Sequence, residues 1–239
     1  MSVPLGYAGP TELYNHSLVP VLDLVNHSSS PTIPRPEQRP NTISAKARPQ
    51  PANVHLVPGK IAFALLAPEE GFKAGEELLF QYHPTSNTEL WAEYGFAETY
   101  PSGPEKWGKY SALVVDHLVD EMWQADSEQQ SALEKIGCWR HNTLHPYPVY
   151  EASHCLLMTL RVMHLAESER TKLDAIGRAT ITYISEDNEE MVRESLRTMC
   201  TKALEETEQR DREGTGDSMV EALWAEQQDV ARGCLEVYR

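Results

Sequence analysis

A polar pair at the end of an apolar run is the first place in this chain where side chains are positioned for chemistry. The segment Leu18-Val-Pro-Val-Leu-Asp-Leu-Val25 leads directly into Asn26-His27-Ser28. A carboxamide and an imidazole set against such a run must find partners away from water. Further on, Gly75-Glu-Glu-Leu-Leu-Phe-Gln-Tyr82 ends on a phenol, and Ser86-Asn87-Thr-Glu-Leu90 leads to Glu93-Tyr94-Gly95-Phe96. Tyrosine hydroxyls and backbone carbonyls can orient an amine and stabilise positive charge developing on it. Plainer roles exist for each residue. Asn26 and His27 can cap a turn, Tyr82 can be a strand-end aromatic with its hydroxyl in water, and Asp23 can be a hydrogen-bond hub. Asn87 reads as structural, holding a strand-to-helix crossing.

The elements that carry these residues are short. Residues 1–17 have no periodicity and read as a poorly ordered start, and Leu18–Val25 reads as a buried strand or tight turn. Residues 28–58 are rich in Ser, Pro, Asn and Gln and read as a long surface loop. Two strand-like segments follow, Lys60–Leu66 and Glu77–Tyr82, with Gly71 and Gly75 giving the connection hairpin-like punctuation. Asn87–Glu93 fits one helical turn capped by Ser86 or Asn87. After about residue 106 the pattern becomes helical. Pro148–Ala166 and Met219–Tyr238 carry apolar stripes, and Asp187–Glu206 places Met191, Val192, Leu196, Met199, Cys200 and Ala203 on one face. Asp116–His117 and Asp187–Glu190 read as hydrated helix starts.

Composition sets the outer bounds. The chain has 239 residues, 41% apolar and 24% charged, within ordinary globular usage. Net charge is −15, which argues against nucleic acid as a partner. Such a charge can draw in a lysine-rich polypeptide by long-range steering. Residues 167–239 hold 18 acids against 10 bases, and most of that excess marks solvated helix faces. No apolar run is long enough for a membrane span. The four cysteines form no CxxC or CxC pair, so reduced thiols and a cytoplasmic or nuclear location are expected. Cys138-x-x-His141-x-x-x-His145 has metal-ligand types but no fourth ligand nearby, and no metal is expected.

The two strings, in this order and spacing, resemble the C-terminal half of the SET domain of protein lysine methyltransferases. The branch is that of the plant Rubisco and ribosomal-lysine methyltransferases. The resemblance covers roughly residues 18–100 with specific motifs, Pro20-x-x-Asp23-x-x-Asn26-His27-Ser28 among them. It implies an α+β chain. Residues 18–104 would form the C-terminal part of a SET fold, with small sheets and a knotted segment. Residues 105–239 would form an all-α substrate-binding domain, and 1–17 a short leading segment. It also implies an S-adenosylmethionine-dependent protein-lysine N-methyltransferase whose partner is a ribosomal, other non-histone or histone protein presenting a lysine. Asn26, His27 and Phe96 match cofactor-binding residues. Tyr82 matches the catalytic tyrosine that orients or deprotonates the amine, and Asp23 and Tyr94 match residues beside the substrate lysine. His83 departs from the pattern, standing where relatives often have a small or acidic residue. The family's glycine-containing cofactor loop has no counterpart in Met1–Ser17, and no Cys-x-Cys zinc tail follows Tyr94. A different expectation follows from the missing loop: a truncated, non-catalytic relative acting as a protein-binding module.

Overall fold

The computed structural model describes residues 3–4, 16–17, 25–28, 37–40, 61–64, 71, 73–82, 84–98, 106–146 and 148–239. Asp23 and His83 lie outside them, as do Leu18–Leu24 and most of the expected 28–58 loop. The chain divides into two compact units, Met1–Pro84 and Thr85–Arg239. The boundary expected after residue 104 therefore moves back to Pro84. The reason is that Asn87 is hydrogen-bonded to Glu98, Trp107 and Glu226, which tie residues 85–98 to the helices.

The first unit is built from paired two-stranded pieces. β1 (Val3–Pro4) pairs antiparallel with β2 (His16–Ser17), inside the segment expected to lack order. β3 (Asn26–His27) pairs in parallel with β6 (Leu79–Phe80), Asn26 opposite Leu79 and His27 opposite Phe80. β4 (Glu37–Pro40) pairs antiparallel with β5 (Ile61–Ala64), so a strand interrupts the segment expected as loop. Its polar, proline-ended sequence has no alternation to reveal it. The two strands flanking Gly71 and Gly75 do not form a hairpin, because β5 and β6 each take a different partner. The glycines still do local work at φ 75 and 86. Gly75 sits in a turn closed by the Glu76 amide on the Lys73 carbonyl at 3.1 Å.

The second unit opens with α1 (Asn87–Tyr94), started by a Ser86–Glu89 capping box and stopped by left-handed Gly95. Then come β7 (Leu113–Val114), α2 (Asp116–Met122), α3 (Ser127–Lys135), β8 (Thr143–His145) and β9 (Glu151–Ala152). α4 (His154–Met163), a 3₁₀ turn, α5 (Leu173–Gly177), α6 (Glu186–Glu213) and α7 (Ser218–Tyr238) complete it. The expected all-α domain thus contains a three-stranded antiparallel sheet, in the order β7-β8-β9. Strands of two or three residues are too short for any period to register.

The core lies on both sides of α4. Leu156 and Leu160 join Leu118, Leu144, Leu196, Met199 and Val230 in one cluster, while Met158 and Val162 join Leu133, Ile176 and Ile184 in another. A helix apolar on two faces belongs between layers. α6 packs against α7 through Val192, Leu196, Met199 and Cys200. Met191, expected on that stripe, is instead 50% exposed.

Candidate functional site

In the first unit the parallel pairing of β3 with β6 brings the two sequence strings together. Tyr82, two residues beyond β6, donates its amide N–H to Nδ1 of His27 at 3.1 Å, across 55 positions of sequence. Because Nδ1 accepts there, the ring proton of neutral His27 sits on Nε2. The two rings meet edge to face, centroids 5.0 Å apart. The Tyr82 hydroxyl donates to the Val25 carbonyl at 3.0 Å, so its proton is committed to the backbone of β3's approach. Val25, His27 and Ser28 are buried, whereas Asn26 points outward. Its Nδ2 donates to Glu77 Oε1 at 2.7 Å, which fixes the carboxamide with Oδ1 as the outward acceptor.

Tyr94 and Phe96 lie in the second unit, at the end of α1 and just past Gly95, with centroids 6.2 Å apart. Asn87 at the start of α1 is 3% exposed and works as a hub. Its two Nδ2 hydrogens are shared among the carbonyls of Glu98 and Trp107 and Glu226 Oε2, each 2.8 Å from the nitrogen. Its Oδ1 accepts the Glu98 amide at 2.7 Å. Glu226 Oε1 accepts from the Ser111 hydroxyl. Burial drives the Glu226 carboxyl up to about 7, against the pull of the Ser111 and Asn87 hydrogen bonds. Glu226 and Ser111 went unnoticed in the sequence. A Glu on the buried side of an otherwise apolar α7 stripe was the available signal.

Cys138, His141 and His145 do not converge. Cys138 is disulfide-bonded to Cys155, 17 positions on, which corrects the expectation that all four thiols are reduced. The pairing follows from the turn after α3, which lays Cys138 against the first turn of α4. His145 instead hydrogen-bonds Thr143 Oγ1 at 2.9 Å and the Ser111 carbonyl at 3.3 Å. Asp116, expected to be hydrated, accepts from the backbone N–H and Nδ2 of Asn142 at 3.0 and 2.6 Å. Among the described residues no cluster of His, Cys, Asp and Glu could hold a metal ion.

Residues 125–230, within the helical unit, match the family model described as Rubisco LSMT substrate-binding. No curated protein matches the chain. Among solved structures it is similar to one described as the crystal structure of the SET domain of LSMT bound to MeLysine and AdoHcy. The likeness has 24% identity and a TM-score of 0.52, over 94% of this chain and 50% of that one. The chain spans about half the length of that structure. The fold is therefore SET-type, small β pairings followed by a helical domain. The match to the family model covers residues 125–230, and the likeness of the chain to the LSMT structure is one of fold.

Proposed function

We propose that this chain is part of a protein-lysine N-methyltransferase that uses S-adenosylmethionine, with a ribosomal or other non-histone protein as substrate and a histone as the less favoured one. The observation that carries the reading is the Tyr82 phenol, seated on the Val25 carbonyl and against His27 at the β3–β6 pairing. A phenolic oxygen held this way can accept a hydrogen bond from a neutral lysine amine and aim its lone pair. The donor set also suits the cofactor. Asn26 offers an outward Oδ1 acceptor, beside a buried histidine on the same strand, for the polar ends of a nucleoside–amino-acid conjugate. Asn26 and His27 would hold it, and it would supply the methyl group as a sulfonium-bound electrophile. By resemblance, Tyr94 and Asp23 belong to the lysine side and Phe96 to the cofactor side.

Calorimetric titration of the chain with S-adenosylmethionine should give saturable heat. No heat at millimolar ligand overturns the reading for this chain and leaves it as a protein-binding module, an outcome in keeping with a family match confined to residues 125–230. In a methyl-transfer assay, Tyr82→Phe should slow the reaction roughly a hundredfold while leaving the binding heat intact. An unchanged rate would remove Tyr82 from the mechanism.

A further inference from the structure

Asn87, which opens α1, holds both backbone groups of Glu98. Its Oδ1 accepts the Glu98 amide at 2.7 Å, and its Nδ2 lies 2.8 Å from the Glu98 carbonyl. Between these two residues, 11 positions apart, run the rest of α1 with Tyr94, the left-handed Gly95, and Phe96. A segment pinned at both ends by one buried carboxamide has its path fixed, and with it the placing of two rings 6.2 Å apart. What fixes Asn87 in turn comes from far along the chain. Glu226 of α7, 139 positions away and 3% exposed, presents Oε2 to Asn87 at 2.8 Å and Oε1 to the Ser111 hydroxyl.

A carboxyl is more than this packing requires. A glutamine could accept from Asn87 through Oε1 and donate to Ser111 through Nε2, with no charge to desolvate. Glutamate adds a change of charge, and burial places that change at about 7. Among the described residues no cation pairs with Glu226. Lys106 of the connector is taken by Asp229, one turn along α7, at 3.2 Å. Asp229 also accepts from Trp107 Nε1 and the Tyr150 hydroxyl, each at 3.0 Å. His145 of β8 stands behind Ser111, its Nδ1 3.3 Å from the Ser111 carbonyl. An ionised carboxylate buried without a cation is relieved by opening toward water. Opening here would draw Asn87 away from Glu98 and loosen the segment between them.

We propose that Glu226 is a positioning residue: through Asn87 it sets where Tyr94 and Phe96 stand, and losing its proton releases them. Its bearing on methyl transfer rests on the reading of Tyr94 as lysine-side and Phe96 as cofactor-side, but the coupling itself needs neither cofactor nor substrate. The ring signals of Tyr94 and Phe96 in the whole chain are followed by NMR from acid to alkaline pH. Both should shift together with one midpoint at about 7. In Glu226→Gln they should stay at their acid positions throughout. Histidines titrate in the same window, so His145→Gln is the control and should leave the midpoint in place. Ser111→Ala deletes a bond that favours the ionised carboxylate and should move the midpoint upward. A loss of packing alone would shift no midpoint. Rings silent to pH, a titration that survives Glu226→Gln or vanishes in His145→Gln, or a midpoint unmoved by Ser111→Ala overturns the proposal. Silent rings leave methyl transfer standing, and a failed S-adenosylmethionine titration leaves this coupling standing.

Discussion

The helical unit contains two buried polar clusters, and they are finished differently. Around Asn87 and Glu226 every side-chain polar atom has a partner, and the bonds join α1, the connector at Trp107 and Ser111, and α7. Around Asn142 and Thr159 the bonding stops short: Asn142 Oδ1 and the Thr159 hydroxyl are buried with no hydrogen-bond partner. A closed network rigidifies and specifies a packing arrangement, whereas an open one costs stability. Buried polar residues in the same domain can thus be sorted by counting the partners they lack.

The sharpest way to break this comparison is Asn87→Ala. It removes the bonds to Glu98, Trp107 and Glu226 and strands a buried carboxyl, so urea unfolding of the helical unit should lose about 3 kcal/mol or more. A loss under 1 kcal/mol would mean that the cluster is not framework.

The pH response comes next. Glu226 titrates at about 7 in the folded chain, above an ordinary carboxyl at 4.5. A raised folded-state pKa contributes stability that is complete below about 4.5 and lost as pH climbs through about 7. The unit should therefore weaken by about 3 kcal/mol across that window, measured by denaturation at several pH values. Glu226→Gln should flatten the profile and be the more stable protein at pH 8. A profile identical to that of the parent would remove Glu226 as its source.

On the other side of the comparison, the Cys138–Cys155 bridge ties the Trp139–Asn142 segment to α4 one turn before Thr159. Cys155→Ser should cost roughly 2–3 kcal/mol by freeing a loop of this length. It should also broaden the indole signals of Trp139. The smallest effect separates the clusters most cleanly. Thr159→Val deletes a hydroxyl with no partner, so the unliganded protein should melt slightly higher, by about 1 kcal/mol of stability at most. A lower melting temperature would show that the hydroxyl is already satisfied.

Much of the framework was legible in the sequence. Ser86 or Asn87 was expected to cap α1, and Ser86 does so; Val192, Leu196, Met199 and Cys200 announced the buried face of α6. Asn26, His27 and Tyr82 were singled out as strings far apart in sequence, and the β3–β6 pairing joins them. Other features had no local signature. β4 is polar and short, the β7-β8-β9 sheet uses strands of two or three residues, and Cys138 meets Cys155 only because a turn follows α3. Glu226 was hidden for a different reason: its role is set by partners 115 and 139 positions away. Asn142 and Thr159 were invisible because what marks them is a missing bond.

The α6–α7 pairing has a kinetic side as well. These two long helices are joined by the four residues Gly214–Asp217, and helix–helix contacts near such a turn are close in sequence. The contact between Tyr82 and His27 must instead close 55 positions of chain. Closure entropy grows with the logarithm of loop length, and local contacts are the first to repay it. The helical hairpin is therefore the natural nucleus of this chain, a scaffold in place before the tyrosine and histidine of the first unit have found each other.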